Sequence, residues 1–110
     1  MLKNANLVLS DREVKHASVL IAAGKIVSFE GEKADEELDL TGTTLIPGFI
    51  DVHIHGAVGV DVMDAGPADL RKMSEYLATQ GVTGWLATLV PGSDENYASV
   101  SAAVGKSMND

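Results

Sequence analysis

The sequence predicts an α/β chain in two parts: an antiparallel β layer over residues 1–46, followed by two consecutive βα units over residues 47–110. Three observations predict it. Up to residue 46 the apolar residues come in short runs rich in Val and Ile and broken by turn residues, the pattern of strands. From Pro47-Gly48 onward, strand-length apolar runs alternate with segments of helical period. The two later strands start about 33 residues apart, the length of a parallel crossover unit.

In order, residues 5–9, 17–22, 25–29, 38–40 and 43–46 read as strands. Ala23-Gly24 separates two of them and predicts a tight hairpin turn. The charged run 30–37 reads as a solvated loop. Residues 49–55 form the next strand, and Gly66-Pro67 opens a helix in which Leu70, Met73, Leu77 and Ala78 recur on one face. Gly81 is placed where a left-handed residue ends a helix. Residues 82–90 give a second apolar strand, Pro91-Gly92 a turn, and Ser93, Asp94 and Glu95 a helix start, with Tyr97, Val100, Val104 and Met108 on one face beyond it. Two parallel strands and two helices cannot cover both faces of their own sheet, so the pattern is expected to continue as the opening of a longer protein. Its second strand, with Val82, Trp85, Leu86, Leu89 and Val90, is expected to present an uncovered apolar edge.

Composition narrows the function classes. Eight Lys and Arg against sixteen Asp and Glu give a formal charge of −8, a field that repels nucleic acid and anionic membrane surfaces. No apolar run reaches the roughly 20 residues of a membrane span, and residues 1–12 lack a basic-then-apolar leader pattern, so the expected location is the cytoplasm. With no Cys, disulfides, thiolate metal sites and a Cys nucleophile are excluded, and a metal would have to be held by His, Asp or Glu.

The chemically informative segment is residues 47–56, PGFIDVHIHG. The two-residue period of a strand puts Phe49, Asp51, His53 and His55 on one face and Ile50, Val52 and Ile54 on the other. Two imidazoles at i and i+2 stand roughly 6 to 7 Å apart along the strand, within reach of one divalent ion. Gly56 removes a side chain where the backbone turns and a ligand could approach. An edge strand with its polar face in water has the same pattern, and that reading stands beside the metal one. The pair does, however, end a strand that feeds a crossover helix, where α/β barrels carry their catalytic groups. Asp61 and Asp64 follow in a loop, either lining a site or capping the next helix. Trp85 reads as packing, Thr83 and Thr88 as strand formers, and His16 as an exposed or structural residue of the β layer.

PGFIDVHIHG resembles the first barrel strand of the amidohydrolase superfamily. GAVGVDVMDA (56–65) and GVTGWLATLVPGS (81–93) are similar to segments of N-acetylglucosamine-6-phosphate deacetylases, and AAGKIVSFE (22–30) to part of the small β domain those enzymes build from their chain ends. The resemblance implies a β-sandwich-type portion over 1–46 and the first two βα units of a TIM-like (β/α)8 metal-dependent hydrolase barrel over 47–110. It implies that one or two divalent ions, zinc above all, activate water against the acetamide of a small amino-sugar phosphate, while a carboxylate passes a proton to the leaving amine. It gives His53 and His55 as metal ligands and Asp51 as a supporting group behind them, suited to a hydrogen bond with a ligand imidazole. Some deacetylases of the family replace the two imidazoles by Gln and Asn and use a single metal; both imidazoles are kept here.

The remaining family ligands and the catalytic Asp come from later strands, so the isolated 110 residues are expected to be inactive. The complete protein is expected as a cytoplasmic homo-oligomer without nucleic-acid or membrane partners. Two alternatives remain: an amidohydrolase acting on a cyclic amide, and a small non-catalytic β/α interaction module.

Overall fold

Alternating apolar residues along the first strands have one side to bury, and the computed structural model shows where they bury it. The structure describes residues 1–31 and 33–108; Glu32, within the predicted solvated run, and residues 109 and 110, at the end of the second predicted βα unit, lie outside the described residues. The chain divides into two units, Met1–Pro47 and Gly48–Asp110.

In the first unit, β1 (Leu2–Val8) pairs antiparallel with β2 (Glu13–Ala22), and β2 with β3 (Lys25–Ser28). Ala22 faces Lys25 across a two-residue turn in which Ala23 and Gly24 have φ of 49° and 71°. That is the predicted hairpin, with both central residues at the positive φ that matches strand twist. Register shifts interrupt the β1–β2 ladder, where Asn4 (φ 62°) and His16 (φ 54°) sit left-handed, and His16 is exposed. Asn and His are among the residues that tolerate this region best.

One expectation is corrected. The layer is not wholly antiparallel: β4 (Leu38–Asp39) and β5 (Thr44–Leu45) both pair parallel to β1. The reason is directional. After β3 the chain crosses over to the free edge of β1, and a crossover returns it in the same sense as β1. The result is a single five-stranded sheet. Leu7, Ala17 and Val19 form its buried cluster, flanked by Leu2, Leu9, Val14 and Leu45. Ile26, Val27 and Leu38 are exposed. The described residues of the run 30–37 are solvated apart from the half-buried Ala34, and Glu37 makes a 3.1 Å ion pair with Lys3.

Asp39 ties this edge together. Its Oδ1 accepts hydrogen bonds from Asn4 Nδ2 (3.0 Å), the Thr41 backbone N–H (3.0 Å) and the Thr41 hydroxyl (2.7 Å). The Asn4 bond first, then those from Thr41, favour the ionised carboxylate and hold its pKa below the ordinary aspartate value. A lowered folded-state pKa stabilises above the unfolded value and is lost as pH falls through the folded one. Asp39→Asn is therefore expected to flatten the acid limb of stability below the usual carboxylate range. Denaturant melts across acid pH check this, and an unchanged acid limb counts against it.

In the second unit, β6 (Phe49–Ile54) pairs parallel with β9 (Val82–Ala87), Phe49 facing Val82. Between them lie the two-residue strands β7 (Gly56–Ala57) and β8 (Val60–Asp61), a 3₁₀ turn (Val62–Asp64) and α1 (Pro67–Thr79); α2 (Asp94–Ser107) follows β9. This is the predicted β-α-β-α order. Pro67 opens α1, the Gly66 N–H donates to Asp69 Oδ2 (3.0 Å), and Gly81 beyond its end has φ 79°. The Ser93 hydroxyl accepts the Asn96 N–H at the start of α2 (3.2 Å).

Helical period and burial disagree at Ala78, Ala103 and Met108. Leu70, Met73 and Leu77 are buried on α1, whereas Ala78 is exposed. On α2 the buried residues are Val100 and Ala103, and Met108, expected on that face, is 81% exposed just past the helix end. Val62, Ala65, Leu70, Met73, Val100 and Ala103 form one core, with Ile54, Trp85 and Ala87 of the strands packed against it. Trp85 serves packing, as its sequence context predicts, and its indole N–H donates to Ser74 Oγ (3.0 Å). Ile50, Val52 and Leu86 are exposed, as are Leu89 and Val90; Val82 and Trp85 are half-buried. No described helix is long and apolar enough to cross a membrane.

Candidate metal centre

Strand alternation decides which way the imidazoles face. Ile54 packs into the core beneath β6, so His53 and His55, on either side of it, project from the opposite face. Both are exposed, and their rings lean together at a centroid separation of 4.9 Å and an interplanar angle of 76°. His53 Nε2 lies 3.0 Å from His55 Nε2. Two nitrogens each about 2.0–2.1 Å from one ion, at angles between octahedral and tetrahedral, stand about 3 Å apart, so the donor pair fits as one side of a metal site.

The second nitrogen of His55 has its own partner: Nδ1 lies 3.1 Å from the Thr88 carbonyl oxygen. A carbonyl can only accept, so Nδ1 carries the proton and Nε2 keeps its lone pair. The short Nε2 to Nε2 contact is then a hydrogen bond donated by His53. A ligand imidazole whose other nitrogen is fixed by a carbonyl is a recurrent feature of metal sites.

Asp51 is half-buried on the same strand. Its Oδ1 accepts the backbone N–H of His53 (3.0 Å), so the imidazole hydrogen bond suited to it is replaced by one to the main chain. It supports the strand at His53 rather than the ring.

The turn after His55 is built by local constraints. The Val62 N–H donates to the His55 carbonyl (2.8 Å), and Lys72 Nζ donates to the Val58 carbonyl (3.2 Å). Val58 (φ 48°) and Gly59 (φ 79°) turn the chain between β7 and β8, a costly conformation for a β-branched residue. Gly56 is required by the backbone, because a Cβ there would run into the Val60 carbonyl oxygen. Of the two loop carboxylates, Asp61 caps the 3₁₀ turn by accepting the Met63 N–H (2.8 Å). At the start of α1 it is Asp69, and not Asp64, whose carboxylate accepts the Gly66 N–H.

Among the described residues no group of three or more His, Asp or Glu is placed to hold an ion, so His53 and His55 make up two donors without a third. Thr88 is what sequence reasoning missed. Its residue type says only that it suits a strand, yet it stands 33 residues after His55, the same offset that pairs Phe49 with Val82. That repeated offset is the signal that could have found it.

No family model matches the chain. Over 85 residues it is 41% identical to an N-acetylglucosamine-6-phosphate deacetylase of Vibrio furnissii, covering 77% of this chain and 21% of the relative. Over 82 residues it is 39% identical to an N-acetylgalactosamine-6-phosphate deacetylase of Escherichia coli O157:H7, covering 74% and 20%. The crystal structure of N-acetylglucosamine-6-phosphate deacetylase from Pasteurella multocida matches with a TM-score of 0.90 at 22% identity, over 99% of this chain and 30% of that one. That likeness shows a shared mixed α/β fold. The chain spans about a fifth of the length of these curated relatives and is similar to their N-terminal portion, in agreement with the resemblance carried by its motifs.

Proposed function

We propose that residues 1–110 are the N-terminal portion of a metal-dependent hydrolase that removes the acetyl group from N-acetylglucosamine 6-phosphate. In this reading residues 1–46 contribute to a small β-sandwich domain and residues 47–110 are the first two βα units of a (β/α)8 barrel. The observation that carries it is the convergence of His53 Nε2 and His55 Nε2 to 3.0 Å at the end of a parallel strand. A barrel collects its catalytic groups at that end of its strands. Similarity to deacetylases of two N-acetylated amino-sugar phosphates supports the substrate class.

His53 and His55 are the residues of this chain that would hold one or two divalent ions, zinc by the nitrogen character of the donors. Such an ion, when bound, supplies Lewis-acid polarisation of an amide carbonyl and a lowered pKa for water. The work of this chain is to present donors. His55 offers its Nε2 lone pair because the Thr88 carbonyl holds the Nδ1 proton. His53 points its own Nε2 toward the same place, on a backbone held by Asp51, and would ligate through that nitrogen once its proton has moved to Nδ1. Further ligands, the carboxylate that moves the proton to the leaving amine and the cations that grip the phosphate belong to the remainder of the enzyme. We place that enzyme in the cytoplasm as a homo-oligomer with a small-molecule substrate; the charge of −8 disfavours nucleic-acid and membrane partners.

Amine release by the full-length chain carrying this sequence tests the proposal. N-acetylglucosamine 6-phosphate is expected to be hydrolysed, with activity lost on chelation and restored by divalent ion. Faster release from N-acetylgalactosamine 6-phosphate would move the substrate to that epimer. Turnover of a dihydropyrimidine with neither sugar phosphate cleaved would replace the deacetylase reading by the cyclic-amide one, and no turnover of any of the three would overturn it.

A further inference from the structure

We infer that Thr88 is a positioning residue that sets the tautomer of His55, and so decides which of its ring nitrogens is offered to a metal. The inference rests on the metal-centre reading above and names a residue which that reading does not require.

The β6–β9 ladder has a fault close to the imidazoles. Its register shifts between the pairs Asp51–Trp85 and Ile54–Ala87, just before His55. A shifted ladder leaves backbone donors without their regular partners. Thr88 bridges that break. Its Oγ1 accepts the Ile54 N–H (3.0 Å) and donates to the Leu86 carbonyl (3.2 Å), while its own N–H donates to the Ile54 carbonyl (2.9 Å). These three bonds fix Thr88 against its own strand and against the residue before His55, and the Thr88 carbonyl is left pointing where it accepts the His55 Nδ1 proton at 3.1 Å.

A neutral imidazole has one proton and two nitrogens, and the stronger local acceptor chooses between them. With Nδ1 claimed by a rigid carbonyl, the His55 lone pair stays on Nε2. The 3.0 Å contact between the two Nε2 atoms then requires the opposite tautomer of His53. Two histidines separated by one residue are thereby assigned different tautomers, and it is the Nδ1-protonated form of His55 that the Thr88 carbonyl has to impose. The side chain of Thr88 acts on the imidazole at one remove, by holding its own carbonyl in place.

The test is long-range proton–nitrogen NMR of the metal-free, nitrogen-labelled full-length chain in alkaline buffer. The expected spectrum shows His55 protonated at Nδ1 and His53 at Nε2. Thr88→Val keeps the shape and removes the acceptor of the Ile54 N–H; it is expected to return His55 to a mixture of tautomers and to weaken zinc binding about 10- to 100-fold. Thr88→Ser is expected to restore both. An Nε2-protonated His55 in the unmodified chain would overturn the inference without any variant, as would a tautomer unchanged by Thr88→Val or a Ser variant that behaves like Val. If the tautomers and their dependence on Thr88 hold while zinc is not bound, the positioning role stands and the metal reading fails. Zinc bound by a chain whose metal-free His55 carries its proton on Nε2 would leave the metal reading standing and remove the positioning role.

Discussion

On the proposed deacetylase function, replacing His53 or His55 by Ala is expected to lower the rate of the full-length chain roughly 10³-fold and to remove bound divalent ion. On the proposed function a bound ion would contribute several kcal/mol of transition-state stabilisation, and each tenfold in rate corresponds to about 1.4 kcal/mol. Each variant deletes one of two nitrogens that meet at 3.0 Å, and no third described acid or imidazole stands ready to replace it. Both side chains are exposed, so the folded state should change by no more than about 0.5 kcal/mol. Loss of activity together with an unchanged melting curve therefore separates a ligand role from a structural one. The measurement is bound metal per chain alongside turnover; variants that keep the metal and the rate of the parent would remove both imidazoles from the site.

A second large effect is expected in the core beneath that strand. Met73→Ala should cost the unit Gly48–Asp110 about 2–5 kcal/mol, because its side chain is fully buried and the space it leaves is lined by two helices and the sheet. Met108→Ala removes the same atoms from a side chain that is 81% exposed and should cost no more than about 0.5 kcal/mol. Trp85, the one tryptophan of the sequence, packs against this core and reports its unfolding by fluorescence. Equal shifts in denaturation midpoint for the two variants would show that the core has been assigned to the wrong residues.

The contrast between Met73 and Met108 also shows how far sequence pattern reaches. Both sit at helical spacing on an apolar face, and period alone treats them alike. Met73 has a sheet and a second helix to cover it, whereas Met108 lies just past the end of α2, where the described residues leave it exposed. Ala103 takes a buried place because a small side chain suits the close approach of α2 to the rest of the core. In the same way the short apolar runs near residues 38 and 44 mark strands without saying which neighbour they join. Their parallel pairing to β1 follows from the crossover that precedes them, a property of the path of the chain.

For the candidate site, the spacing H-x-H is legible because a strand has a period of two, which puts His53 and His55 on one face. Their approach to 3.0 Å is not legible, since it depends on ring rotation and on a neighbour strand. Asp51 suits an imidazole by its place on the strand and instead holds a backbone N–H, a choice made by the reach of a short side chain along its own strand. Gly56 is legible as a place where the backbone turns, and the structure adds the close passage of the Val60 carbonyl.

The amino-acid sequence by itself determined the two-part organisation of strands and βα units, the hairpin at Ala23-Gly24, the helix starts and the pair of imidazoles sharing a strand face. All of these depend on periodicity, turn chemistry and residue type within a few positions along the chain. Tertiary structure alone decided the mixed direction of the first sheet, the burial of Ala103 in place of Met108 and the grip of Thr88 on His55. Each of those is settled by groups distant in sequence that compete for the same hydrogen bond or the same volume, and such a competition has its outcome only once the chain has brought them together.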